Sequence, residues 1–408
     1  MTTWESLYAR RASRMRASEI RELLKLLDQP DVINFAGGIP DQALFPAEAF
    51  KAAYQEILAG PDAGRALQYG MSEGSARLRN WIVSHMRRLG VACGPENILV
   101  TSGSQQGLDY IGKLFLTEGD TALVQWPTYL GALQAFNAYE PGYDRLDPGA
   151  NRPAEDYAAT AREKGGRIKF AYLSPDFANP TGLTVDLAER QRLLALAGEL
   201  SCAVIEDSPY EALRYDGEPL PPMLALDCEA SGGINNARTL YCGSFSKSLS
   251  PGLRLGWICA SADVISRLVL IKQASDLNSP VLNQEAMARV AENVFEAHTA
   301  KTNAVYKSRR DAMLAALERH MPAGVSWTRP DGGMFVWMTL PEGMDAAALL
   351  ETSIETARVA FVPGRAFHPD GTGANTLRLS FSCNDYQKIE EGISRLGRLI
   401  TETVTSKL

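Results

Sequence analysis

The chain has 408 residues, of which 45% are hydrophobic and 22% charged, the composition of an ordinary water-soluble protein large enough for two domains. Its net charge of −7 provides no basic field for nucleic acid or an anionic membrane, so we expect neither as a partner. No apolar run approaches the length of a membrane span. The six cysteines and four histidines are scattered singly, which indicates reduced thiols in a cytoplasmic protein and no metal site.

Residues 1–40 are predicted to form an N-terminal arm. Glu5, Glu19 and Glu22 interrupt the positive charge of its arginines, and no apolar segment or cleavage site follows, so the arm does not indicate a targeting peptide. Apolar residues at helical spacing predict a helix over about 20–27. The turn-rich segment 34–41 has paired glycines that allow a close backbone approach, although such pairs are also common in plain loops.

From about residue 97 the sequence repeats one arrangement, in which a short continuous apolar run is followed by a polar loop and often by a helical pattern. The runs are 98–100, 121–125, 168–173, 202–205 and 239–242. Continuous apolar strands separated by helices predict a mostly parallel sheet covered on both faces. Ligands bind beyond the carboxyl ends of such strands, so we expect all five loops to face one shared ligand.

Beyond about residue 285 the pattern changes to that of a smaller α+β domain. A long helical region leads to a hairpin around 330–333, a helix over about 346–357, short strands at 359–362 and 376–381, and a closing helix. We therefore predict a large domain at 41–285 and a small domain at 286–408 that the N-terminal arm joins.

The loop after the fifth run, residues 243–257, contains Lys247 between serines, with Arg254 seven residues later. A lysine in a dry pocket has a lowered pKa, and its free amine can form a Schiff base with the aldehyde of pyridoxal phosphate. The hydroxyls and the arginine could hold the phosphate. The alternative is a solvated serine-rich loop whose lysine has no special role.

The other loops contain groups that suit the same ligand. Ser104 and Gln105 open a helix, where an anion can bind, although a helix cap needs no ligand. Tyr129 could stack on an aromatic ring or simply be buried. Asn179 could hydrogen-bond to a ring oxygen or form an Asx-turn.

Two charged residues within apolar strands need partners. Asp207 ends an apolar run, and a protonated pyridine nitrogen would satisfy its carboxylate, with Tyr210 three residues later near the ring oxygen. Arg378 lies between leucines in a strand. A substrate α-carboxylate would suit its guanidinium, and a structural ion pair is the alternative.

In their order and spacing these motifs resemble the fold-type I, class I and II aminotransferases, and among them the 2-aminoadipate (LysN-type) and kynurenine aminotransferases. The resemblance extends nearly from end to end. Its motifs are Phe-Ala-Gly-Gly-Ile-Pro at 35–40, Gly-Ser-Gln-Gln at 103–106, Asn-Pro-Thr-Gly at 179–182, Gly-Ser-Phe-Ser-Lys at 243–247, Gly-Gly-Met-Phe-Val-Trp at 332–337, Phe-Val-Pro-Gly at 361–364 and Leu-Arg-Leu-Ser at 377–380. It implies an α/β fold whose large domain has a mostly parallel seven-stranded sheet between helices.

The resemblance also implies a role for each candidate residue. Lys247 would bind pyridoxal phosphate covalently and, once released, move a proton of the substrate. The phosphate would be held by Ser104, Gln105, Ser244, Ser246 and Arg254. Tyr129 would stack on the ring, and Asp207 would meet its nitrogen. The ring oxygen would contact Asn179 and Tyr210.

For the substrate, the resemblance implies that Arg378 and Asn179 hold the α-carboxylate. Gly38 and Arg21 would lie in a mobile N-terminal segment that covers the substrate, where Arg21 could meet an acidic side chain. Tyr69 would reach the phosphate from the neighbouring subunit, which implies a homodimer with shared active sites. Without the resemblance, Tyr69 would be predicted to be a packed aromatic.

The implied activity is a ping-pong transfer of the amino group from an L-amino acid of 2-aminoadipate, aromatic or branched-chain type to a 2-oxo acid, with 2-oxoglutarate expected. A pyridoxal-phosphate lyase or decarboxylase on the same fold is one alternative. A ligand-sensing regulator is another, but it needs a DNA-binding domain for which we expect no room before residue 30. The sequence departs from the pattern at Arg365, His368 and Trp257.

Overall fold

A computed structural model describes residues 4–15 and 31–405. The strands are β1 (Ile33–Asn34), β2 (Ile98–Thr101), β3 (Thr121–Gln125), β4 (Gly142–Leu146), β5 (Ile168–Leu173), β6 (Ala203–Asp207), β7 (Thr239–Ser244), β8 (Gly256–Cys259), β9 (Ser326–Trp327), β10 (Phe335–Thr339), β11 (Val359–Ala360), β12 (Val362–Pro363) and β13 (Thr376–Ser380). The predicted helix over about 20–27 and Arg21 lie outside the described residues.

The α-helices of the described ranges are α1 (Ala47–Ala59), α2 (Ala63–Ala66), α3 (Ala76–Arg88), α4 (Ser104–Phe115), α5 (Leu130–Asn137), α6 (Ala154–Glu163), α7 (Leu187–Glu199), α8 (Met223–Ser231), α9 (Ala262–Gln273), α10 (Val281–His320), α11 (Ala346–Thr352) and α12 (Tyr386–Thr405). Shorter 3₁₀ and π turns cover Trp4–Leu7, Arg10–Arg14, Gln42–Leu44, Pro95–Asn97, Ser353–Ala357 and Gly364–Phe367. None of the helices in these ranges is long and apolar enough to cross a membrane.

Within residues 31–405, the largest sheet has seven strands in the order β2-β8-β7-β6-β5-β3-β4. All of its strands run parallel except β8, which is antiparallel to both neighbours. Strands β7 and β8 are buried along their whole length, and β5 and β6 at all but one residue, which explains their largely apolar sequences. The predicted mostly parallel sheet is confirmed, and the carboxyl ends of the predicted strands lie at one edge.

Two smaller sheets occupy the C-terminal part of the chain. Strands β12, β13, β10 and β9 form an antiparallel sheet, and β1 pairs in parallel with β11. The single strand predicted at 359–362 is therefore divided in two. The reason is that 359–360 and 362–363 pair with partners in different sheets.

The long helix α10 contributes to two apolar clusters. Near its start, Met287 and Phe295 pack with Trp81 beside the large sheet. Nearer its end, Tyr306 and Met313 belong to the cluster that covers the small antiparallel sheet. The boundary predicted near residue 285 falls inside this helix, so one rigid element supports both halves of the structure.

Strand β8 lies unusually close to the start of α4. A Cβ atom added to Gly256 would be 2.7 Å from the backbone nitrogen of Ser104 and 2.8 Å from the carbonyl oxygen of Gly243. Both neighbours are main-chain atoms, which cannot rotate away as a side chain can. A residue without a side chain is therefore required where the sheet meets this helix.

Replacing Gly256 with alanine should lower the free energy of unfolding by about 1–3 kcal/mol, because the new methyl group overpacks two main-chain segments. The matched control is Gly198→Ala in α7, where an added Cβ meets nothing within 4 Å. That change should leave stability unchanged or raise it by up to about 1 kcal/mol. Urea unfolding of both variants measures the difference, and equal stabilities would show that the close approach is not a constraint.

Candidate active site

The start of α4, the end of β7 and the segment that contains Arg254 meet at the edge of the large sheet. Ser104 begins α4 after Gly103, whose φ is +84° and whose added Cβ would lie 2.4 Å from Nη2 of Arg254. Ser244 pairs with Gly256 across β7 and β8, and its hydroxyl accepts a hydrogen bond from the Ser246 amide at 3.1 Å. The first amides of α4, the Arg254 guanidinium and the serine hydroxyls thus converge. This combination is suited to a phosphate.

Gln105 and Tyr129 are linked to each other beside this corner. The Gln105 side-chain amide donates to the carbonyl of Gly131 at 2.6 Å, and the Tyr129 hydroxyl donates to the Gln105 amide oxygen at 3.4 Å. Tyr129 immediately precedes α5, and a Cβ atom on Gly131 would lie 2.4 Å from its ring. The position of the Tyr129 ring is therefore fixed by the start of that helix.

Asp207, at the end of β6, is a buried carboxylate with one open oxygen. Its Oδ2 accepts a hydrogen bond from the Tyr172 hydroxyl at 2.7 Å, whereas its buried Oδ1 has no partner among the residues described. Burial raises the pKa of Asp207 to about 6, and the hydrogen bond from Tyr172 acts in the opposite direction. A cationic donor, such as a protonated ring nitrogen, would satisfy the open oxygen.

Arg378 is buried in β13 at the opposite side of the site. It donates from Nη1 to the Asn179 side-chain oxygen at 2.7 Å and from Nη2 to the Ala36 carbonyl at 2.8 Å. Its guanidinium lies 4.2 Å from the centroid of the Phe335 ring, and burial lowers its pKa to about 10. Within the described ranges no carboxylate forms an ion pair with it, so the structural ion pair considered from the sequence is not found.

Tyr210 packs edge to face on Phe335, with their ring centroids 5.8 Å apart. Burial raises the pKa of the Tyr210 hydroxyl above its ordinary value, so this group stays protonated at neutral pH. Asn179 lies between Tyr210 and Arg378, and it is itself buried. Asn179 and Tyr210, which were predicted at the ring oxygen, therefore lie close to Arg378, which was predicted at the substrate carboxylate.

The Lys247 amine donates a hydrogen bond to the Gly38 carbonyl at 2.9 Å. Burial, followed by the positive charges of Arg378 and Arg254, lowers the pKa of Lys247 to about 8. A solvated loop lysine would show no such shift, so the alternative of an incidental lysine is not supported. The structure thus brings Gly38, which the resemblance assigns to the segment that covers the substrate, against Lys247.

Tyr69 is largely exposed within its own chain. It lies in the loop between α2 and α3, and 79% of its surface is exposed. Within its own chain Tyr69 is therefore not a packed aromatic. Arg21, predicted on the substrate side, lies outside the described residues.

A buried hydrogen-bond network behind the phosphate corner of Ser104, Ser244 and Arg254 was not predicted from the sequence. The amine of Lys272 is fully buried and bonds to Gln106 Oε1 at 3.0 Å, Asp276 Oδ1 at 2.9 Å and Ser279 Oγ at 3.1 Å. The same Gln106 oxygen accepts the Ser102 amide at 2.8 Å, so the network holds the turn before α4. A lysine four residues before an aspartate usually marks an exposed pair, and nothing in the sequence indicates burial here.

Trp257, Arg365 and His368, which depart from the family pattern, contact residues other than the predicted site residues. Trp257 is buried in the core, with its ring centroid 4.9 Å from that of Phe245. Arg365 forms an ion pair with Asp345 at 3.1 Å on the surface. His368 contacts the hydroxyl of Thr372 at 3.2 Å. Trp257 thus fills a gap over Gly243 and does not enter the site.

The residues at this edge fit pyridoxal phosphate in three independent ways. The open buried oxygen of Asp207 fits the protonated ring nitrogen, the corner at Ser104 and Arg254 fits the phosphate, and the amine of Lys247 has the lowered pKa of a nucleophile. The donor set thus matches the cofactor at its ring, its phosphate and its aldehyde.

Known proteins resemble this chain over its length. A family model described as aminotransferase class I and II matches residues 30–396. Aromatic-amino-acid aminotransferase 1 of Thermococcus litoralis is 43% identical over 98% of this chain and 95% of its own length. The 2-aminoadipate transaminase of Thermus thermophilus is 42% identical over 98% of this chain and 97% of its own.

Solved structures agree. Kynurenine aminotransferase of Pyrococcus horikoshii, in complex with the amine form of the cofactor, superposes with a TM-score of 0.90 at 42% identity and 98% coverage of both chains. LysN of Thermus thermophilus, with a phosphopyridoxyl-leucine, has a TM-score of 0.88 at 40% identity, covering 99% of this chain and 100% of its own. These relatives do not favour the lyase or decarboxylase alternative. The chain therefore belongs to the class I and II aminotransferases, and it is a pyridoxal-phosphate-dependent enzyme that transfers amino groups of amino acids.

Proposed function

We propose that this enzyme transfers the amino group of an L-amino acid of 2-aminoadipate, aromatic or branched-chain type to 2-oxoglutarate, in two half-reactions at one site. The names of the Thermococcus and Thermus relatives support the aromatic and 2-aminoadipate donors. The observation that carries the proposal is Arg378, a buried cation without a carboxylate partner among the described residues. Both substrates have an α-carboxylate, so one arginine serves both half-reactions.

The cofactor is held at three places. Bound pyridoxal phosphate supplies an aldehyde that bonds to amines and a cationic ring that withdraws electrons. Asp207 would pair with the ring nitrogen, and Tyr129 would stack on the ring. Asn179 and Tyr210 would hydrogen-bond to the ring oxygen. The phosphate would be bound by Ser104, Gln105, Ser244, Ser246 and Arg254.

Lys247 is both the covalent attachment point and the base. Its lowered pKa leaves a useful fraction of neutral amine near pH 7, and the Gly38 carbonyl orients it. Once released from the cofactor, the Lys247 amine would be the base that takes and holds the proton of the substrate α-carbon. The nearby positive charges of Arg378 and Arg254 keep this amine from holding the proton too tightly.

Arg378 binds the α-carboxylate together with Asn179. The aromatic rings of Phe335 and Phe367 lie 4.2 Å and 5.1 Å from its guanidinium carbon and shield it from water. A charge pair in such a water-poor site is stronger than one at the surface. The guanidinium is held by Asn179 and Ala36 and needs little reorganisation when a carboxylate arrives.

The active enzyme is a homodimer with shared active sites. Leu67, Tyr69 and Met71 expose 69%, 79% and 66% of their surface on one short loop. This loop lies against the start of α10, where a Cβ atom on Gly70 would be 2.6 Å from Val281, and Leu277 is exposed beside it. A contiguous apolar surface of this kind favours burial by a second copy. Tyr69 would then reach the phosphate of its neighbour.

Two further proposals concern location and domain division. All six cysteines are unpaired, which supports a reducing compartment, the cytoplasm. We place the domain limits at 1–40 for the arm, which joins the small domain and covers the substrate, at 41–285 for the large domain and at 286–408 for the small domain. The separate apolar clusters beside the large and small sheets support two domains, with Met287 and Phe295 of α10 in the large-sheet cluster.

Covalent capture of pyridoxal phosphate by the apoenzyme should depend on pH with a midpoint near 8, the pKa of Lys247. Only the neutral amine attacks, so the rate constant should rise about tenfold between pH 6 and pH 7 and level off above about pH 9. Stopped-flow absorbance of the bound cofactor provides the measurement, with Lys247→Ala as the blank. A rate that still climbs steeply at pH 10 would mean that this lysine is an ordinary solvated amine.

Replacing Arg378 with glutamine should raise KM roughly 100-fold for every amino donor and for 2-oxoglutarate alike, because a desolvated charge-assisted contact to the α-carboxylate is lost. Arg365→Gln is the matched control, since Arg365 pairs with Asp345 at the surface. Its KM values should stay within about twofold of the parent, as for most exposed ion pairs. An Arg378→Gln enzyme with unchanged KM, or one impaired for donors only, would contradict the assignment.

Shared sites can be tested by mixing two inactive variants. Tyr69→Ala and Lys247→Ala should each be impaired, but each co-refolded heterodimer should contain one site with both residues intact. An equimolar mixture, of which about half is heterodimer, should therefore recover about a quarter of parental activity. If Tyr69 served its own chain, no intact site would form and the mixture would stay inactive. Tyr386→Ala, at another exposed tyrosine, controls for loss of a surface aromatic and should remain active.

A further inference from the structure

Tyr172 lies in the large sheet directly beside Asp207. Strands β5 and β6 are parallel neighbours in which Tyr172 is opposite Ile205, and Asp207 lies two residues beyond Ile205 on the same face. The Tyr172 hydroxyl donates to Oδ2 of Asp207 at 2.7 Å. Both residues are almost completely buried, with 1% and 2% of their surface exposed. This bond is therefore formed away from solvent, where hydrogen bonds to a charged group are strongest.

The direction of this hydrogen bond is fixed. Burial, followed by the charge of Asp207, holds the pKa of Tyr172 well above its ordinary value, so its hydroxyl keeps its proton and acts as the donor. The Tyr172 ring packs edge to face on Phe136, with centroids 5.6 Å apart and planes at 78°. Phe136 belongs to α5, the helix that begins directly after Tyr129. The donor to Asp207 and the residue that stacks on the cofactor are thus held by one helix.

The hydrogen bond from Tyr172 affects the charge of Asp207 as well as its position. Burial favours the neutral acid, whereas the hydrogen bond to Oδ2 favours the anion. Within residues 31–405, no lysine, arginine or histidine forms an ion pair with this carboxylate, and the thiol of nearby Cys242 is neutral because burial raises its pKa. Among the residues that the structure describes, the Tyr172 hydroxyl is therefore the group that stabilises the charge of Asp207 before the cofactor binds.

We propose that Tyr172 is a positioning residue for the cofactor, whose hydroxyl occupies Oδ2 of Asp207 and so presents Oδ1 as an anionic acceptor to the protonated pyridine nitrogen. Oδ1 is buried and has no partner among the described residues, as such an acceptor requires. This inference rests on the proposed role of Asp207. It adds a residue outside direct cofactor contact that controls how strongly the ring withdraws electrons.

The test is Tyr172→Phe, which removes one oxygen atom and leaves the ring packed on Phe136. The dissociation constant for pyridoxal phosphate should rise roughly tenfold, the effect of losing one hydrogen bond to a charged group. With ¹⁵N-labelled cofactor, the ring-nitrogen resonance should move from its protonated towards its unprotonated position. The kcat value should fall while KM for the amino donor stays nearly constant, because the substrate carboxylate site is untouched.

The matched control is Tyr157→Phe. Tyr157 is equally buried and donates from its hydroxyl to the Arg145 carbonyl at 2.8 Å, away from Asp207. It should lose comparable stability but keep the parental cofactor affinity and ¹⁵N shift. Should Tyr172→Phe fail to fold, 4-aminophenylalanine at position 172 retains a donor, and it should keep the dissociation constant within about threefold of the parent.

A double-mutant cycle separates this inference from the role of Asp207. Asp207→Asn alone should change the ¹⁵N shift and weaken cofactor binding; if it does neither, the proposed role of Asp207 is wrong. If Asp207→Asn has these effects but Tyr172→Phe has none, only the role of Tyr172 is wrong. An effect of Tyr172→Phe that persists undiminished in the Asp207→Asn background would also overturn it, because Tyr172 would then act by another route.

Discussion

The site depends on charged groups that are buried without neutralising one another. Asp207 has an open carboxylate oxygen, Arg378 has no acidic partner among the described residues, and the pKa of Lys247 is lowered to about 8. Buried charges are costly unless a partner neutralises them, so the binding of ligands relieves a cost that the empty site carries. The cofactor ring supplies the cation for Asp207, and the substrate supplies the anion for Arg378.

The fold explains how these groups can be kept apart and yet face one ligand. Asp207 ends β6, Lys247 follows β7, and Arg378 lies in β13 of the separate antiparallel sheet. The helix α10 packs into both apolar clusters and fixes one sheet relative to the other. A rigid framework of this kind preserves the separation of the charges when no ligand is bound. The close contact at Gly256 serves the same purpose at the phosphate corner.

Much of the large sheet and of its site residues could be predicted from the sequence, because buried parallel strands have continuous apolar sequences. The runs that became β2, β3, β5, β6 and β7 are continuous and apolar, and their following loops contain the polar groups. Strand β4 was missed because it is an edge strand that contains the adjacent charged residues Asp144 and Arg145 and has a single fully buried residue, Leu146. Lys272 and Tyr172 were missed for another reason. One resembles a surface lysine and the other a core aromatic, and only three-dimensional packing reveals their hydrogen bonds to Gln106 and Asp207.

The most direct measurement is a single turnover of the pyridoxal-phosphate enzyme with an amino acid and no acceptor. If the site transfers amino groups, the visible absorption of the aldehyde form should be replaced by that of the amine form, with one 2-oxo acid released per site. Addition of 2-oxoglutarate should then restore the aldehyde form. A panel of acidic, aromatic and branched-chain donors identifies the substrate class. Release of carbon dioxide or free ammonia, with the aldehyde form regained without an acceptor, would contradict amino transfer as the reaction of this site.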